Sequence, residues 1–451
     1  MNKEIINNVI TRLPPSPTGL LHIGTTRTAL FNYLFTKQNN GKMLFRLEDT
    51  DRERSKEEFE KNIIEGLKWL GLDYDGEISR QSEKTELYEK YLEKMIKDGF
   101  AYEAEENKDG DKKVIRFKNP NKEIIFQDLV RGEIKFDTTE LGDFVIAKSL
   151  SDPLYHLAVV VDDFESEVSH VIRGEDGISN TPRQILIQEA IGAKRPIYAH
   201  LPLILAPDKS KMSKRFGAIS IDEYKEKGYL QEAIINYLAL LGWSPEDEQE
   251  IFSLEELIEK FDIKKVHKSG AVFNIEKLNW INKEYIKLMT EADFKIKVLE
   301  FLPKEFGNKI KENDKLFNKI LPIIKERIEK FEDVIIMLEE GDLDYYFEQP
   351  EYELEKIFWK DENDLNLLKT RIEKSIQLIE SVKEFSAEKI KESIWDYASE
   401  KGRGSILWPI RYALSGKDKS PDPFLLSEVL GQEETIKRLT YVIEKINSTK
   451  K

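Results

Sequence analysis

Cysteine is absent from the 451 residues of this chain. Disulfide bonds and a cysteine-ligated zinc site are therefore excluded, and we expect no zinc. No stretch approaches the roughly 18 consecutive apolar residues that span a bilayer, so we expect no membrane partner. A strand-like run begins within a few residues of Met1, which leaves no room for a signal or transit segment. We therefore expect a cytoplasmic protein.

Histidine is scarce as well, with five residues in the chain. Four of them show no spacing typical of metal ligands, and we interpret them as structural or packing residues. These four are His156, His170, His200 and His267. We predict no metal site formed by protein side chains.

The composition is that of a folded, highly charged protein, with 40% hydrophobic and 34% charged residues. A chain of this length exceeds one hydrophobic core, so several domains are expected. The net charge of −15 does not exclude RNA as a partner, because RNA contacts depend on local basic patches.

Two short motifs carry the chemistry. Residues 15–25 read Pro-Ser-Pro-Thr-Gly-Leu-Leu-His-Ile-Gly-Thr and lie between a strand-like run at 8–13 and a helix-like run at 25–37. Such a turn presents a helix N-terminus to a phosphate. Residues 211–215 read Lys-Met-Ser-Lys-Arg. Each motif alone also fits a structural histidine or a solvated basic turn, but together they predict a split ATP site.

These residues resemble the signature motifs of class I aminoacyl-tRNA synthetases, and most closely those of the bacterial glutamyl type. Thr25 stands where the class-wide motif usually has a second histidine, a change that glutamyl members often share. Further matches are Phe-Arg-Leu-Glu-Asp-Thr-Asp at 45–51, Val-Val-Asp-Asp at 160–163 and Val-Ile-Arg-Gly-Glu-Asp at 171–176. The resemblance is dense from Arg12 to Trp280.

The resemblance implies a glutamate–tRNA ligase. Such an enzyme uses ATP, with Mg²⁺, to activate L-glutamate as an adenylate, and it transfers the glutamyl group to the 3′ end of tRNA(Glu). AMP and pyrophosphate are the other products. On this basis His22, Gly24 and Thr25 contact ATP, and Lys211 and Lys214 neutralise the pyrophosphate, with Lys214 as the main lysine contact. The same pattern makes a nucleotide contact an alternative for His200.

A buried glutamate side chain needs a cation, and its ammonium group needs a carboxylate. By resemblance, Arg12 and Arg173 are the pocket arginines and Glu48 is the partner of the ammonium group. Ser16 and Tyr155 resemble hydrogen-bonding residues of the pocket wall. Each arginine alone is also compatible with an ordinary ion pair.

Three residues are candidates for contact with tRNA. Asp162 and Asp163 resemble a loop pair that touches the tRNA 3′ end; Mg²⁺ chelation and a helix or turn cap are the alternatives. Arg327 resembles the arginine that reads the third anticodon base in discriminating members. It is equally compatible with an exposed helix arginine paired with Glu326 or Asp333.

Alternating strand and helix patterns predict an α/β Rossmann-like catalytic domain with an α+β insertion, followed by an all-α anticodon-binding region. The predicted segments are the first catalytic half (1–80), the insertion that binds the acceptor end (81–153), the second catalytic half (154–210), a stem-contact region with the lysine loop (211–290) and the helical region (291–451). In the first catalytic half we predict a strand at 43–48 and a helix at 56–70. In the second half we predict strands at 157–161 and 167–172, and in the helical region a helix over 427–446. We expect a monomer.

Three alternatives accompany this interpretation. A small-molecule nucleotidyltransferase shares the histidine-containing helix start, but it would not need the long helical region. A non-catalytic tRNA-binding paralogue should have lost His22, Lys214 or a pocket arginine. A non-discriminating enzyme would also charge tRNA(Gln) with glutamate.

Overall fold

The computed structural model describes residues 8–105, 113–210, 212 and 219–449. The chain forms two compact units that divide between Tyr285 and Ile286. This division is coarser than the five predicted segments, whose boundaries stay predictions.

The first unit combines strands and helices. Its strands are β1 (Ile10–Leu13), β2 (Lys42–Leu47), β3 (Ser79–Arg80), β4 (Ala101–Glu105), β5 (Lys113–Phe117), β6 (Glu123–Asp128), β7 (Gly132–Asp137), β8 (Phe144–Ser149), β9 (Asp152–Pro153), β10 (His170–Gly174), β11 (Ile197–Leu201), β12 (Ile204–Leu205) and β13 (Ala271–Val272). Its helices are α1 (Ile23–Gln38), α2 (Glu57–Trp69), α3 (Thr85–Lys97), α4 (Tyr155–Glu165), α5 (Thr181–Ile191), α6 (Ile221–Glu226), α7 (Gln231–Leu240), α8 (Leu254–Lys260) and α9 (Ile275–Leu288), which runs past the division.

A parallel sheet supports the site. Strands β1, β2 and β3 pair in parallel, as do β10 and β11. The amide of Ser169 donates to the carbonyl oxygen of Ile10 at 2.9 Å, which brings β10 alongside β1. Because the carboxyl ends of parallel strands share one edge, Arg12 and Arg173 lie near the same edge of the sheet.

The segment predicted as an insertion contributes to two sheets. Strands β4, β5, β8 and β9 form a sheet of their own, whereas β6 and β7 extend the sheet of β10 and β11. The link is a parallel pairing of β11 with β6 at Tyr198 and Asp128.

The predicted strand at 157–161 is wrong, because these residues lie in α4. Leu157 to Asp163 are all buried. A short run of apolar residues reads alike for a buried strand and a buried helix, and burial on every face overrides the β-propensity of valine. The neighbouring prediction at 167–172 corresponds to β10, which begins at His170.

The described part of the second unit is helical throughout. Its helices are α10 (Glu291–Phe301), α11 (Lys304–Glu312), α12 (Asp314–Arg327), α13 (Glu332–Glu339), α14 (Asp344–Phe347), α15 (Leu365–Glu380), α16 (Ala387–Lys401), α17 (Arg403–Ser415), α18 (Pro423–Leu430) and α19 (Gln432–Thr449). A continuous helix expected over 427–446 is interrupted at Gly431, whose φ of +84° ends α18.

Candidate active site

The turn before α1 has the geometry expected of a phosphate site. His22 caps the helix, and its Nδ1 accepts a hydrogen bond from the amide of Gly24 at 3.1 Å. A Cβ atom at Gly24 would lie 3.1 Å from the His22 ring, so glycine suits this position. His22 is exposed, and the first amides of a helix have no carbonyl partner within it. The turn therefore offers donors and a positive helix end to an anion.

The chain that follows the lysine motif is fixed beside this turn. The amide of Ile221 donates to the carbonyl oxygen of Leu21 at 2.9 Å, and Ser220 forms an isolated bridge with His22. Lys211 and Lys214 themselves lie outside the described residues.

Two of the predicted pocket residues, Arg12 and Glu48, belong to a buried ion-pair network. The Arg46 guanidinium is 2.7 Å from Asp163, 3.1 Å from Glu48 and 3.6 Å from Asp162. Arg12 adds a contact of 3.3 Å to Asp163. All of these residues are buried.

The charges in this network act on one another strongly. Burial alone would lower the pKa of Arg46, but Asp163, Glu48 and Asp162 outweigh it and raise the pKa above its ordinary value. Burial raises the pKa of Asp163, yet Arg12 and Arg46 outweigh it and hold the carboxylate ionised. For Glu48, burial prevails over the two arginines and its pKa is raised.

The expectation for Asp162 and Asp163 needs correction. Both lie inside α4 and are buried, rather than in a loop open to tRNA. Asp162 accepts hydrogen bonds from Gln81 at 2.8 Å, Lys84 at 2.9 Å and Tyr88 at 3.0 Å. A buried carboxylate requires such partners, and these contacts occupy both aspartates within the protein.

Arg173 is buried at the end of β10. Its Nε donates to Nε2 of His200 at 3.1 Å, and its Nη2 donates to the oxygens of Gly177 at 3.1 Å and Thr181 at 2.8 Å. Its Nη1 is buried without a hydrogen-bond partner among the described residues. Nη1 of Arg12 is likewise buried without a hydrogen-bond partner among the described residues.

Tyr155 links the predicted pocket residues electrostatically. Burial and the charge of Glu48 raise its pKa, while Arg173 and Arg12 oppose the shift. The residue is 38% exposed, so it borders an opening to solvent. The structure thus brings Arg12, Glu48, Tyr155 and Arg173 into one charged neighbourhood. Ser16 is exposed in the turn after β1.

Sequence reasoning missed Asp128, which binds His200. Nδ1 of His200 lies 2.6 Å from Oδ2 of Asp128, and both side chains are fully buried. His200 is therefore enclosed by protein, and the alternative of a nucleotide contact does not fit its position. The residues are 72 positions apart and no local motif signals their pairing.

Arg327 occupies the end of α12 in the second unit, where it borders a cavity of about 790 Å³. Its guanidinium contacts the carboxylate of Asp342. The partners expected from sequence, Glu326 and Asp333, are therefore wrong, since Asp342 occupies that role. The side chain is 36% exposed, so part of it stays open to solvent.

Known families match both units of the chain. A model described as the catalytic domain of class I tRNA synthetases (E and Q) matches residues 8–110 and 103–280, and an anticodon binding domain matches 293–443. The glutamate–tRNA ligase of Carboxydothermus hydrogenoformans is 40% identical, covering 96% of this chain and 99% of its own length. The chain belongs to the glutamyl-tRNA synthetase family of class I.

Other members of the family agree with this assignment. The glutamate–tRNA ligase of Aquifex aeolicus is 40% identical over 98% of this chain and all of its own length. A crystal structure of the glutamate tRNA ligase from Elizabethkingia meningosepticum, in complex with its amino acid, matches with a TM-score of 0.84 and 34% identity. That match covers 98% of this chain and 100% of the solved chain. The predicted family, fold class and ATP-dependent glutamate–tRNA ligase activity are confirmed.

The described residues contain neither a cluster of metal ligands nor a membrane-spanning helix. Among the described residues, no group of three or more His, Asp or Glu side chains is placed to hold a metal ion. In the same residues, no helix is both long and apolar enough to cross a membrane.

Proposed function

We propose that this synthetase activates L-glutamate with ATP in the pocket formed by Arg12, Glu48, Tyr155 and Arg173. The observation that carries the assignment is the pair of buried Nη1 groups, on Arg12 and Arg173, that have no partner among the described residues. Unpaired buried guanidinium donors are costly, and a ligand carboxylate would satisfy them. Glu48 supplies a carboxylate for the ammonium group, and Ser16 adds a hydroxyl at the rim.

We propose that His22, Gly24 and Thr25 contact the phosphates of ATP. Lys211 and Lys214 contact the leaving pyrophosphate. Attack by the glutamate α-carboxylate on the α-phosphorus accumulates charge on the phosphate oxygens. Fixed donors at a helix start and nearby lysines stabilise that charge without reorganisation. The anchoring of Ile221 to Leu21 supports this arrangement, since it fixes one end of the lysine loop at the turn.

We propose that Mg²⁺ binds to the enzyme together with ATP. Since the described residues offer no metal cluster, we expect the triphosphate to bring the ion and to supply its principal oxygen ligands. We also propose that the enzyme is a cytoplasmic monomer, in keeping with a role in translation.

Arg173→Gln is expected to raise the KM for glutamate about thirtyfold, a loss of about 2 kcal/mol for a charge-assisted contact. The KM for ATP should change by less than about twofold, because the nucleotide site is untouched. Steady-state aminoacylation at varied glutamate and ATP measures both values. Arg195→Gln is the control, since it removes a surface arginine that pairs with Glu189. Equal losses for both substrates in Arg173→Gln would indicate damage to the sheet instead of loss of a pocket residue.

We further propose that Arg327 favours tRNA(Glu), whose third anticodon base is C, over tRNA(Gln), whose third base is G. Its position at a cavity wall and its partly open guanidinium support contact with a base. An arginine that accepts one base and crowds out the other discriminates by rejection.

Arg327→Gln is expected to reduce the preference for tRNA(Glu) about tenfold, within the range of a single base contact. The ratio of kcat/KM for the two tRNA transcripts measures this preference. Lys315→Gln removes a charge from an exposed position of the same helix and serves as the control. A parent enzyme that charges both tRNAs equally, unchanged by Arg327→Gln, would favour the non-discriminating alternative.

A further inference from the structure

His200 is enclosed between a carboxylate and a guanidinium. Its Nδ1 lies 2.6 Å from Oδ2 of Asp128. Its Nε2 lies 3.1 Å from Nε of Arg173 and 3.2 Å from the hydroxyl oxygen of Thr181. The His200 side chain is fully buried in β11, directly opposite Arg173 in the parallel pairing of β10 and β11. The three side chains therefore form a continuous line from β6 through β11 to β10.

Arg173 and Asp128 together determine where the proton on His200 resides. An arginine Nε is always a donor, so Nε2 of His200 has to accept and carries no proton. Nδ1 then bears the proton and donates it to Asp128. Burial, together with the charge of Arg173, lowers the pKa of His200 although Asp128 opposes the shift, so the ring is neutral. The hydrogen bonds of His200 to Asp128 and to Arg173 form together only with this tautomer.

Asp128 is itself rigidly held. Its Oδ1 accepts hydrogen bonds from the backbone amides of Val130 at 2.9 Å and Arg131 at 2.8 Å. Oδ2 is thereby directed at His200 and accepts from both its amide, at 3.1 Å, and its ring. The backbone amides of the turn between β6 and β7 thus hold the carboxylate of Asp128 in place, and this carboxylate in turn holds His200.

The contacts of Arg173 leave one end of its guanidinium available. Nε is taken by His200, and Nη2 is taken by the oxygens of Gly177 and Thr181. Nη1 keeps no partner among the described residues. Rotation of the guanidinium would break these contacts, so they hold Nη1 in one direction.

We propose that Asp128 and His200 are positioning residues, which hold Arg173 so that its Nη1 is presented to the side-chain carboxylate of glutamate. The proposal rests on the proposed function, in which Arg173 is a pocket arginine. It assigns part of amino-acid binding to β6, within the segment predicted as an insertion. Prepositioning an arginine in this way lowers the entropy lost when the ligand binds.

Two substitutions of His200 separate positioning from packing. His200→Asn keeps an amide near Asp128 but removes the acceptor for Arg173, whereas the longer side chain of His200→Gln can place an oxygen near the Nε2 position. We expect His200→Asn to raise the KM for glutamate between about tenfold and a hundredfold, as when a buried donor loses its partner. His200→Gln should raise it less than about fivefold. The KM for ATP and the kcat at saturating glutamate should stay within about twofold, because a contact made equally in the ground and transition states affects KM alone.

His170→Asn is the matched control. His170 is also buried in the same parallel sheet, but its ring contacts Ser169 and Phe35 and no pocket residue. The thermal midpoint of His170→Asn should fall by about as much as that of His200→Asn. The KM values of His170→Asn for glutamate and for ATP should stay at those of the parent. This outcome, together with the glutamate-specific effect of His200→Asn, supports the proposal.

Asp128→Asn tests the proton directly. If the Asn oxygen stays on the two backbone amides, its NH₂ group faces Nδ1 of His200 and forces that nitrogen to accept. The proton then moves to Nε2, against Arg173, as in other histidine–aspartate pairs whose tautomer is set by the carboxylate. Nitrogen NMR of histidine-labelled full-length enzyme distinguishes the two tautomers. We expect the Nδ1–H form in the parent, the Nε2–H form in Asp128→Asn, and a rise in the KM for glutamate in that variant.

Several outcomes would overturn the proposal. They are an unchanged KM for glutamate in His200→Asn, equal rises in the KM for glutamate and ATP, or an Nε2–H tautomer in the parent. The Arg173→Gln variant keeps this failure distinct from failure of the proposed function. If Arg173→Gln raises the KM for glutamate but His200→Asn does not, only the positioning role is lost. If Arg173→Gln has no effect, the pocket assignment itself fails.

Discussion

Arg46→Met is expected to destabilise the first unit by about 4 kcal/mol, the usual scale for breaking a buried ion pair. Arg46 is the cation shared by Glu48, Asp162 and Asp163 inside the protein. Methionine fills similar volume but leaves three carboxylates in a low dielectric with less compensation. Asp163 would retain Arg12 at 3.3 Å and Asp162 would retain Lys84 at 2.9 Å, so the loss is large without being total.

Urea unfolding of the full chain, followed by circular dichroism, measures this loss. Hydrogen–deuterium exchange locates it, and we expect faster exchange in β2 and α4 with little change in α15. Lys94→Met is the control, because Lys94 forms an exposed pair with Asp98, the residue that caps the end of α3. Such pairs contribute about 0.3–0.5 kcal/mol. A loss below about 1 kcal/mol in Arg46→Met would show that the network is not needed for stability.

Lys214→Ala is expected to reduce glutamate-dependent activation about a hundredfold. One fixed donor to charge that develops in the transition state is worth about 3 kcal/mol. The thermal midpoint should stay at that of the parent, because the proposed role of Lys214 is in catalysis and not in stability. The effect should be larger than that of any single pocket residue on kcat, because the lysine acts on the leaving pyrophosphate.

The measurement is kcat for aminoacylation at saturating glutamate and ATP, with the thermal midpoint recorded in parallel. Lys209→Ala removes a charge from the exposed turn just before the motif and should change kcat by less than about threefold. If Lys214→Ala keeps a normal kcat and a normal KM for ATP, the assignment of the lysine loop to the ATP site is wrong.

Local patterns predicted the elements that local forces determine. The predicted strand at 43–48 and the predicted helix at 56–70 lie within one residue of β2 and α2. Apolar residues recur at helical spacing in α2, and the short apolar run of β2 lies between Gly41 and Glu48. The predicted strand at 157–161 is wrong, because these residues are apolar and buried on every face of α4 and therefore show no periodicity. A break at Gly431 was missed because apolar residues continue on both sides of it.

The residues of the site also fall into two groups, those that a local motif predicts and those that only the fold brings together. His22 and Arg173 follow from motifs, since a turn and a strand end carry their chemistry in a few neighbouring residues. The partners of Asp163 do not, because Arg46 and Arg12 are 117 and 151 positions away. Asp128 and His200 meet only through the pairing of β6 with β11, which depends on the fold of the whole first unit.

The shared sheet of β6, β7, β10 and β11 bears on how this enzyme could be recombined with its relatives. A chimaera that exchanged residues 81–153 as a cassette would cut through that sheet, and it would import a foreign partner for β11 and for His200. A version without those residues would leave β11 with an open edge, whose unpaired amides and carbonyls invite association with another chain. The part of the segment that has its own sheet is interrupted in sequence by β6 and β7. Viable crossovers should therefore fall just after α9, close to the division between the two units, with the entire first unit inherited from one parent.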